Sequence, residues 1–169
     1  CIELIKKMGV DNNNVILCDS KGVVYKGRDF GMNEWKERHA TNTKARTIED
    51  ALEGADVFLG LSVGNILSPD MVATMAKDPI VFAMANPDPE IDYNLAIKTR
   101  NDIIMATGRS DFPNQVNNAI AFPGIFRGAL DNRVRDITEQ HMIATSEVIA
   151  GLVSKPTADM IIPSVLDED

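Results

Sequence analysis

Cysteine is scarce in this chain: Cys1 and Cys18 are the only two in 169 residues. Neither falls in a C-x-x-C pair or a Cys/His metal spacing, which excludes a disulfide framework and a zinc knuckle. Cys18 lies in an apolar run and is expected to pack as a reduced thiol, the usage of a reducing, cytoplasmic compartment. Long apolar runs are missing as well. The longest, "IVFAMA", is far short of the roughly 20 residues a spanning helix needs, and the start has no basic-then-apolar signal pattern. Positive charge is in the minority, 17 Lys and Arg against 25 Asp and Glu, for a net charge of -8 with no basic cluster to offset it. Nucleic acid and anionic membrane surfaces are therefore excluded as expected partners. Also absent is any glycine-rich turn among the eighteen residues before Asp19, although Asp19 ends the apolar run "VILCD" as a ribose-binding acid would.

What is present is ordinary globular composition, 44% hydrophobic and 25% charged, in a length suited to one core. Cys1, Leu4, Ile5 and Met8 recur at helical spacing and Gly9 follows as a stop, so residues 1 to 9 read as the back half of a helix. "VILCD", "VFLGLS", "IVFAMA" and "DIIMAT" are short continuous apolar runs, the pattern of parallel strands buried on both faces. Between them stand "TIEDALEGA" with Thr47 as N-cap, "SPDMVATMAKD" with Ser68 as N-cap and Pro69 at the first helical position, and "DYNLAIKTR". Strands alternating with helices predict an α/β, Rossmann-like, doubly wound parallel sheet, here without its first strand and glycine turn. After residue 107 a polar loop runs into an apolar helical region interrupted by Pro123, with Gly124 and Gly128 spaced to admit another backbone. Thr138 is expected to cap a last helix to about Ser154, with Ala144, Val148, Ile149 and Leu152 as its apolar face. The domain is placed at 1–154 and an irregular tail at 155–169, whose Ile161, Ile162 and Val165 need something to dock on.

Ligands of open parallel sheets bind beyond the carboxyl ends of the strands. Those ends read "DSKG" at 19 to 22, "LSVGN" at 61 to 65, "NPDPE" at 86 to 90 and "TGRSDFPNQVNN" at 107 to 118. Small residues let a flat ligand approach the backbone, and Asn offers donors and an acceptor to a carboxamide or carboxylate. Each also has a plain structural role open to it, since Asp, Gly and Asn form turns wherever strands end. Asn86, held by the following proline in an extended pose, is evenly balanced between the two. Asn117 and Asn118 precede a helix start, where one amide can cap and the other face an anion. His39 and His141 read as solvated, Trp35 and Met32 as core cover, and Arg109 with Asp111 as a surface ion pair or a lid.

Strung in this order, "DSKGVVYKGR", "ANPDPEI", "ATGRSDFPNQVNNAIAFPGIFRGALD" and "SEVIAGLVS" resemble the nucleotide-binding domain of malic enzymes, the compact bacterial type above all. The resemblance covers essentially the whole chain. It implies oxidative decarboxylation of (S)-malate to pyruvate and CO2 with reduction of NAD(P)+ and a divalent Mg or Mn. The family's catalytic Lys and Tyr, its metal carboxylates and its glycine turn fall upstream of Cys1, so no catalytic residue and no metal ligand is assigned to this chain. What carries over is Asp19 for the adenosine ribose, the backbone of Ser62, Val63 and Gly64 as a cofactor wall, and Asn86 and Asn118 for substrate and nicotinamide, with Asn117 a weaker candidate. Asp19 favours NAD by repelling a 2′-phosphate, although Ser20 and Lys21 could welcome one, so NAD is expected and NADP is possible. A homo-oligomer is expected of the full-length protein. Two other readings stay open at this point: a non-catalytic nucleotide-binding or oligomerisation module, and another NAD-dependent dehydrogenase, such as one acting on amino acids.

Overall fold

The computed structural model describes residues 1–164, so Val165 lies outside the described residues. The chain forms two compact units, Cys1–Glu53 and Gly54–Asp169.

In the first unit, α1 (Ile2–Lys7) ends in a Schellman turn. Gly9 takes φ +108°, its N–H donating to Lys6 O and that of Val10 to Ile5 O. A two-residue turn, Ser20-Lys21, joins β1 (Cys18–Asp19) to β2 (Gly22–Val23) as an antiparallel hairpin. This corrects the expectation that "VILCD" is a parallel strand. A continuous apolar run reports burial, not the direction of the neighbour, and the turn chemistry after Asp19 returns the chain at once. Gly22 is required there: its φ is +99°, and a Cβ would lie 2.3 Å from Arg46 O. Val23, Val24, Ala40, Thr41 and Leu52 make the unit's buried centre, and the Thr41 hydroxyl donates to Val15 O at 2.7 Å. α2 (Glu34–His39) is capped by Asn33, and α3 (Ile48–Leu52) by a reciprocal Thr47–Asp50 capping box.

The second unit holds β3 (Val57–Gly60), α4 (Pro69–Ala73), β4 (Ile80–Ala83), α5 (Tyr93–Thr99) and β5 (Ile104–Thr107). The strands run parallel in the order β3-β4-β5, with Val57 level with Ile80 and Ile80 with Ile104. This is the α/β, Rossmann-like arrangement expected. Right-handed crossovers stepping in one direction place α4 and α5 on the same face, where Val81, Ala83 and Met105 are buried. The opposite face of β3 is open, with Val57 and Leu59 exposed. Two-sided burial, predicted for every run, therefore fails at β3 within the described residues, because both connecting helices lie on the other side.

An ionic knot closes the far end of this layer. Arg100 donates to both oxygens of Asp102 at 2.9 and 2.7 Å, and its Nη1 donates to Met75 O and Val72 O at the end of α4. Asp102 in turn accepts from the Asp78 N–H at 2.9 Å. These bonds and the guanidinium hold the Asp102 carboxyl well below the usual carboxylate range.

Asn118–Ile120 form a 3₁₀ turn before α6 (Phe122–Asp131). Pro123 does not interrupt α6. It sits in the first turn, where a missing N–H costs nothing because no carbonyl awaits it. No heavy atom lies within 4 Å of a Cβ at Gly124 or Gly128, so no described backbone uses the gap they leave. Thr138 caps α7 (Glu139–Leu152), its N–H donating to His141 Nδ1 at 3.0 Å, and the helix ends two residues before Ser154. Its predicted apolar face is not buried among the described residues, since Val148 is 65% exposed and Leu152 64%. The tail is anchored by Asn114, which donates to Met105 O and Ala158 O and accepts from the Ile161 N–H.

Arg100→Met is expected to lower stability by about 2 kcal/mol, since buried carbonyls and Asp102 lose a charged donor. Denaturant titration checks this against Lys98→Met, two residues earlier in the last turn of α5, and equal midpoints for the two would show that the knot contributes nothing.

Candidate functional site

Asp19 stands at the head of the β1–β2 turn of the first unit, and its carboxylate is crowded with donors. The Lys21 N–H approaches Oδ1 at 2.8 Å, Arg28 Nη2 lies 3.0 Å from both oxygens, and Lys36 Nζ is 2.6 Å from Oδ2. The Arg28 side chain is fully buried. Its other nitrogens donate to Phe30 O and Val23 O, and it stacks on the Phe30 ring. Burial alone raises the Asp19 carboxyl, but the Lys36, Lys21 and Arg28 bonds overcome it and bring the group down to about 2. The four lone-pair positions of a carboxylate are thus matched by four contacts from within the unit. Two cations around one anion leave a local surplus of positive charge. Sequence reading missed Arg28 and Lys36, although Arg28 was in plain view in "KGR". Nothing in spacing says that a basic residue nine or seventeen positions on will fold back onto an acid.

The tips of the second unit's strands converge. A cleft of about 330 Å³ is lined by Leu61 after β3, Met84, Ala85, Asn86, Pro87 and Pro89 after β4, and Gly108, Arg109, Val116, Asn117 and Asn118 after β5. Asn86 and Asn118 are therefore brought together, as anticipated, with Asn117 beside them. The Asn86–Pro87 peptide is cis. Asn117 spends its side-chain oxygen on the Ala119 N–H at 2.9 Å, the ordinary cap, while the exposed Asn86 and Asn118 amides bond to no other described side chain or backbone group. Segment 115–118 reaches the cleft because the Val116 N–H donates to Thr107 O at 2.8 Å, extending the edge of β5.

Ser62, Val63 and Gly64 form the turn behind Leu61 and do not line this cleft. Their backbone is held by the 86–90 turn. Ser62 N–H donates to Glu90 Oε1 and Asn65 N–H to Pro89 O, and a Cβ on Gly64 would lie 2.7 Å from Asp88 O. Glu90 itself is wholly buried, a residue whose part sequence reading did not see. The available signal was a Glu closing a proline-rich turn with apolar neighbours.

Several other expectations resolve plainly. Arg109 and Asp111 form an exposed ion pair at 2.6 Å, with Arg109 on the rim of the cleft. Trp35 is 62% exposed under the Arg38 guanidinium rather than covering core, because α2 has no layer over that face within its unit. His39 is not solvated: it is half-buried, with Nδ1 3.1 Å from Lys6 Nζ and Nε2 3.7 Å from Glu3. Burial and the Lys6 charge hold it below the ordinary imidazole value.

With this geometry in view, the comparisons with known proteins are decisive. The family model described as malic enzyme, NAD binding domain, matches residues 6–167. The chain belongs to the malic enzyme family. It is 57% identical over 159 residues to the NADP-dependent malic enzyme of Rhizobium meliloti (strain 1021), covering 94% of this chain and 21% of that protein. The Entamoeba histolytica malic enzyme structure superposes with a TM-score of 0.90 at 36% identity, over 99% of this chain and 36% of that one. The NAD-dependent malic enzyme of Thermotoga maritima gives a TM-score of 0.87 at 41% identity, over 98% and 44%. This malic enzyme domain thus spans from about a fifth to under half the length of the relatives it matches. Among the described residues no helix is long and apolar enough to cross a membrane.

Two measurements follow from the first unit. Burial first, then the Asp19 and Glu49 charges, push the Cys18 thiol up to about 11, so a maleimide at neutral pH is expected to label Cys1 alone, with Cys18 adding a second mass increment only after unfolding. Asp19 titrates below its unfolded value of about 3.9, so its contribution to stability is complete above that and fades as pH falls from about 4 through about 2. Melting curves of the protein and Asp19→Asn should therefore differ by a constant amount above about pH 5 and merge towards pH 2.

Proposed function

We propose that this chain is the cofactor-binding part of an enzyme that oxidatively decarboxylates (S)-malate to pyruvate and CO2 while reducing NAD(P)+. The observation that carries it is the pairing of two uncommitted amides, Asn86 and Asn118, at the carboxyl ends of β4 and β5 in a domain of this family. A carboxamide and a small dicarboxylate both need neutral donors and acceptors in a rigid frame, and this cleft supplies them. Nicotinamide dinucleotide supplies the hydride acceptor when bound. Asn86 and Asn118 then hold the nicotinamide and malate, the Ser62-Val63-Gly64 backbone flanks the cofactor, and Asp19 serves the adenosine ribose, a ribose hydroxyl displacing the Lys36 ammonium from Oδ2. The cleft fits the group: Gly108 leaves its floor clear and no charged side chain but Arg109 faces it.

At Asp19 the surplus positive charge supports the 2′-phosphorylated cofactor as well as NAD. A bare carboxylate would repel that phosphate, whereas one already bound to Arg28 and Lys36 does so far less. Residues 1–154 serve as the NAD(P)-binding domain and 155–169 as its tail. The divalent Mg or Mn that the family resemblance implies is assigned to other parts of the full-length enzyme. A cytoplasmic homo-oligomer with small-molecule substrates, and without nucleic acid or membrane partners, agrees with the acidic surface and reduced cysteines.

A full-length protein carrying these residues is expected to turn over malate only with both NAD(P)+ and a divalent cation. Activity indifferent to EDTA would remove the metal from the reading, and reduction of the cofactor by an amino acid instead of malate would replace it. Asn118→Ala is expected to lower kcat/KM by about a hundredfold with no change in melting, since the Asn118 side chain bonds to no other described residue. Parallel loss of activity and stability would return Asn118 to a capping role.

A further inference from the structure

Among the described residues Glu90 is the one charged side chain of the second unit with no exposed surface at all, and no cation pairs with it. Its carboxylate instead sits between two strand tips. Oε1 accepts the Ser62 N–H at 3.1 Å, just beyond β3, and Oε2 accepts the Ala85 N–H at 3.0 Å, just beyond β4. The space it fills exists because β3 ends in glycine: a Cβ on Gly60 would lie 2.3 Å from Glu90 Cδ and within 2.6 Å of both oxygens. The backbone on either side adds to the clamp, since Leu67 N–H donates to Glu90 O and Asn65 N–H to Pro89 O. Burying a carboxylate is costly, and a Gln or Leu of similar volume would close the same core without that penalty. A buried acid that bonds only to the N–H groups of two ligand-facing loops is therefore explained by what those loops must do.

We infer that Glu90 is a positioning residue that sets the spacing between the Ser62-Val63-Gly64 turn and Asn86, and so determines how tightly the dinucleotide is held. This rests on the proposed reading of the cleft and deepens it. One carboxylate with two equivalent acceptors can bridge two N–H donors at once. An amide cannot, because its NH2 group would face one of the donors. Glu90 touches no reacting atom; it acts through Asn86 and the wall turn. Gly60 belongs to the same device, since any side chain there would evict the carboxylate while leaving its charge intact.

The test uses a full-length protein carrying these residues, with NAD+ and NADP+ as probes. Glu90→Gln is expected to raise the dinucleotide Kd and KM by about tenfold, one buried hydrogen bond being worth that order, while kcat stays within about twofold. Gly60→Ala is expected to do the same, and the double variant Gly60→Ala/Glu90→Gln to be no worse than either alone, because both break one contact. Hydrogen exchange of the unsubstituted protein gives a reading that depends on no variant: segments 61–65 and 84–90 should gain protection together when the dinucleotide binds. An unchanged Kd in folded Glu90→Gln, additive effects in the double variant, or protection of one segment without the other would overturn the inference while leaving the cofactor site in place. Absence of dinucleotide binding by the unsubstituted protein would overturn both.

Discussion

The cleft of this domain depends on a carboxylate buried against a glycine. Glu90 lies where Gly60 has no side chain and draws the Ser62 N–H beyond β3 and the Ala85 N–H beyond β4 onto one group. Parallel strands deliver their tips side by side at a spacing near 4.8 Å, but they do not dictate how the chain leaves the sheet. Here the departure of two successive loops is tied to a single rigid acceptor pair. The position of Asn86, immediately before the proline-bounded turn that leads to Glu90, follows from that tie rather than from the strand that precedes it.

The first unit solves a related problem with cations among the donors. Asp19 must sit at a tight turn, and its ionised form is stabilised by Lys36, Lys21 and Arg28 against the cost of partial burial. Arg28 is buried only because its remaining donors find carbonyls of Val23 and Phe30. Remove the acid and a buried guanidinium loses its counter-ion, so the turn and the charge cluster are one structure. In both units an acid is held by donors from its own neighbourhood, but only in the second does a glycine make room for the acid: a Cβ on Gly60 would lie 2.3 Å from Glu90 Cδ, whereas one on Gly22 would meet the Arg46 carbonyl.

Much of this was legible from residue order. Thr47, Ser68 and Thr138 announce helix starts because a side-chain oxygen there has unpaired N–H groups to accept from, a relation confined to four residues. The three runs ending at Gly60, Ala83 and Thr107 are parallel strands for the reason expected, helices in between forcing crossovers. "VILCD" misled because burial and partner direction are separate properties, and only the following turn decides the latter. Asn86 and Asn118 stand out as candidates through their place at strand ends, whereas Glu90, Arg28 and Lys36 do not. Their partners are backbone groups or an acid up to 28 positions away, and such a pairing leaves no local pattern.

Residue order alone determined the class of the domain, its strand-and-helix alternation, the glycines at its turns and the family to which it belongs, because these rest on interactions reaching a few residues along the chain. The tertiary structure decided which acids are satisfied from within, which amides are left for a ligand, that α6 and α7 carry no buried residue among those described, and that one face of β3 is bare. Those outcomes come from groups distant in sequence competing for the same donors and the same space, and that competition is settled only when the chain is folded.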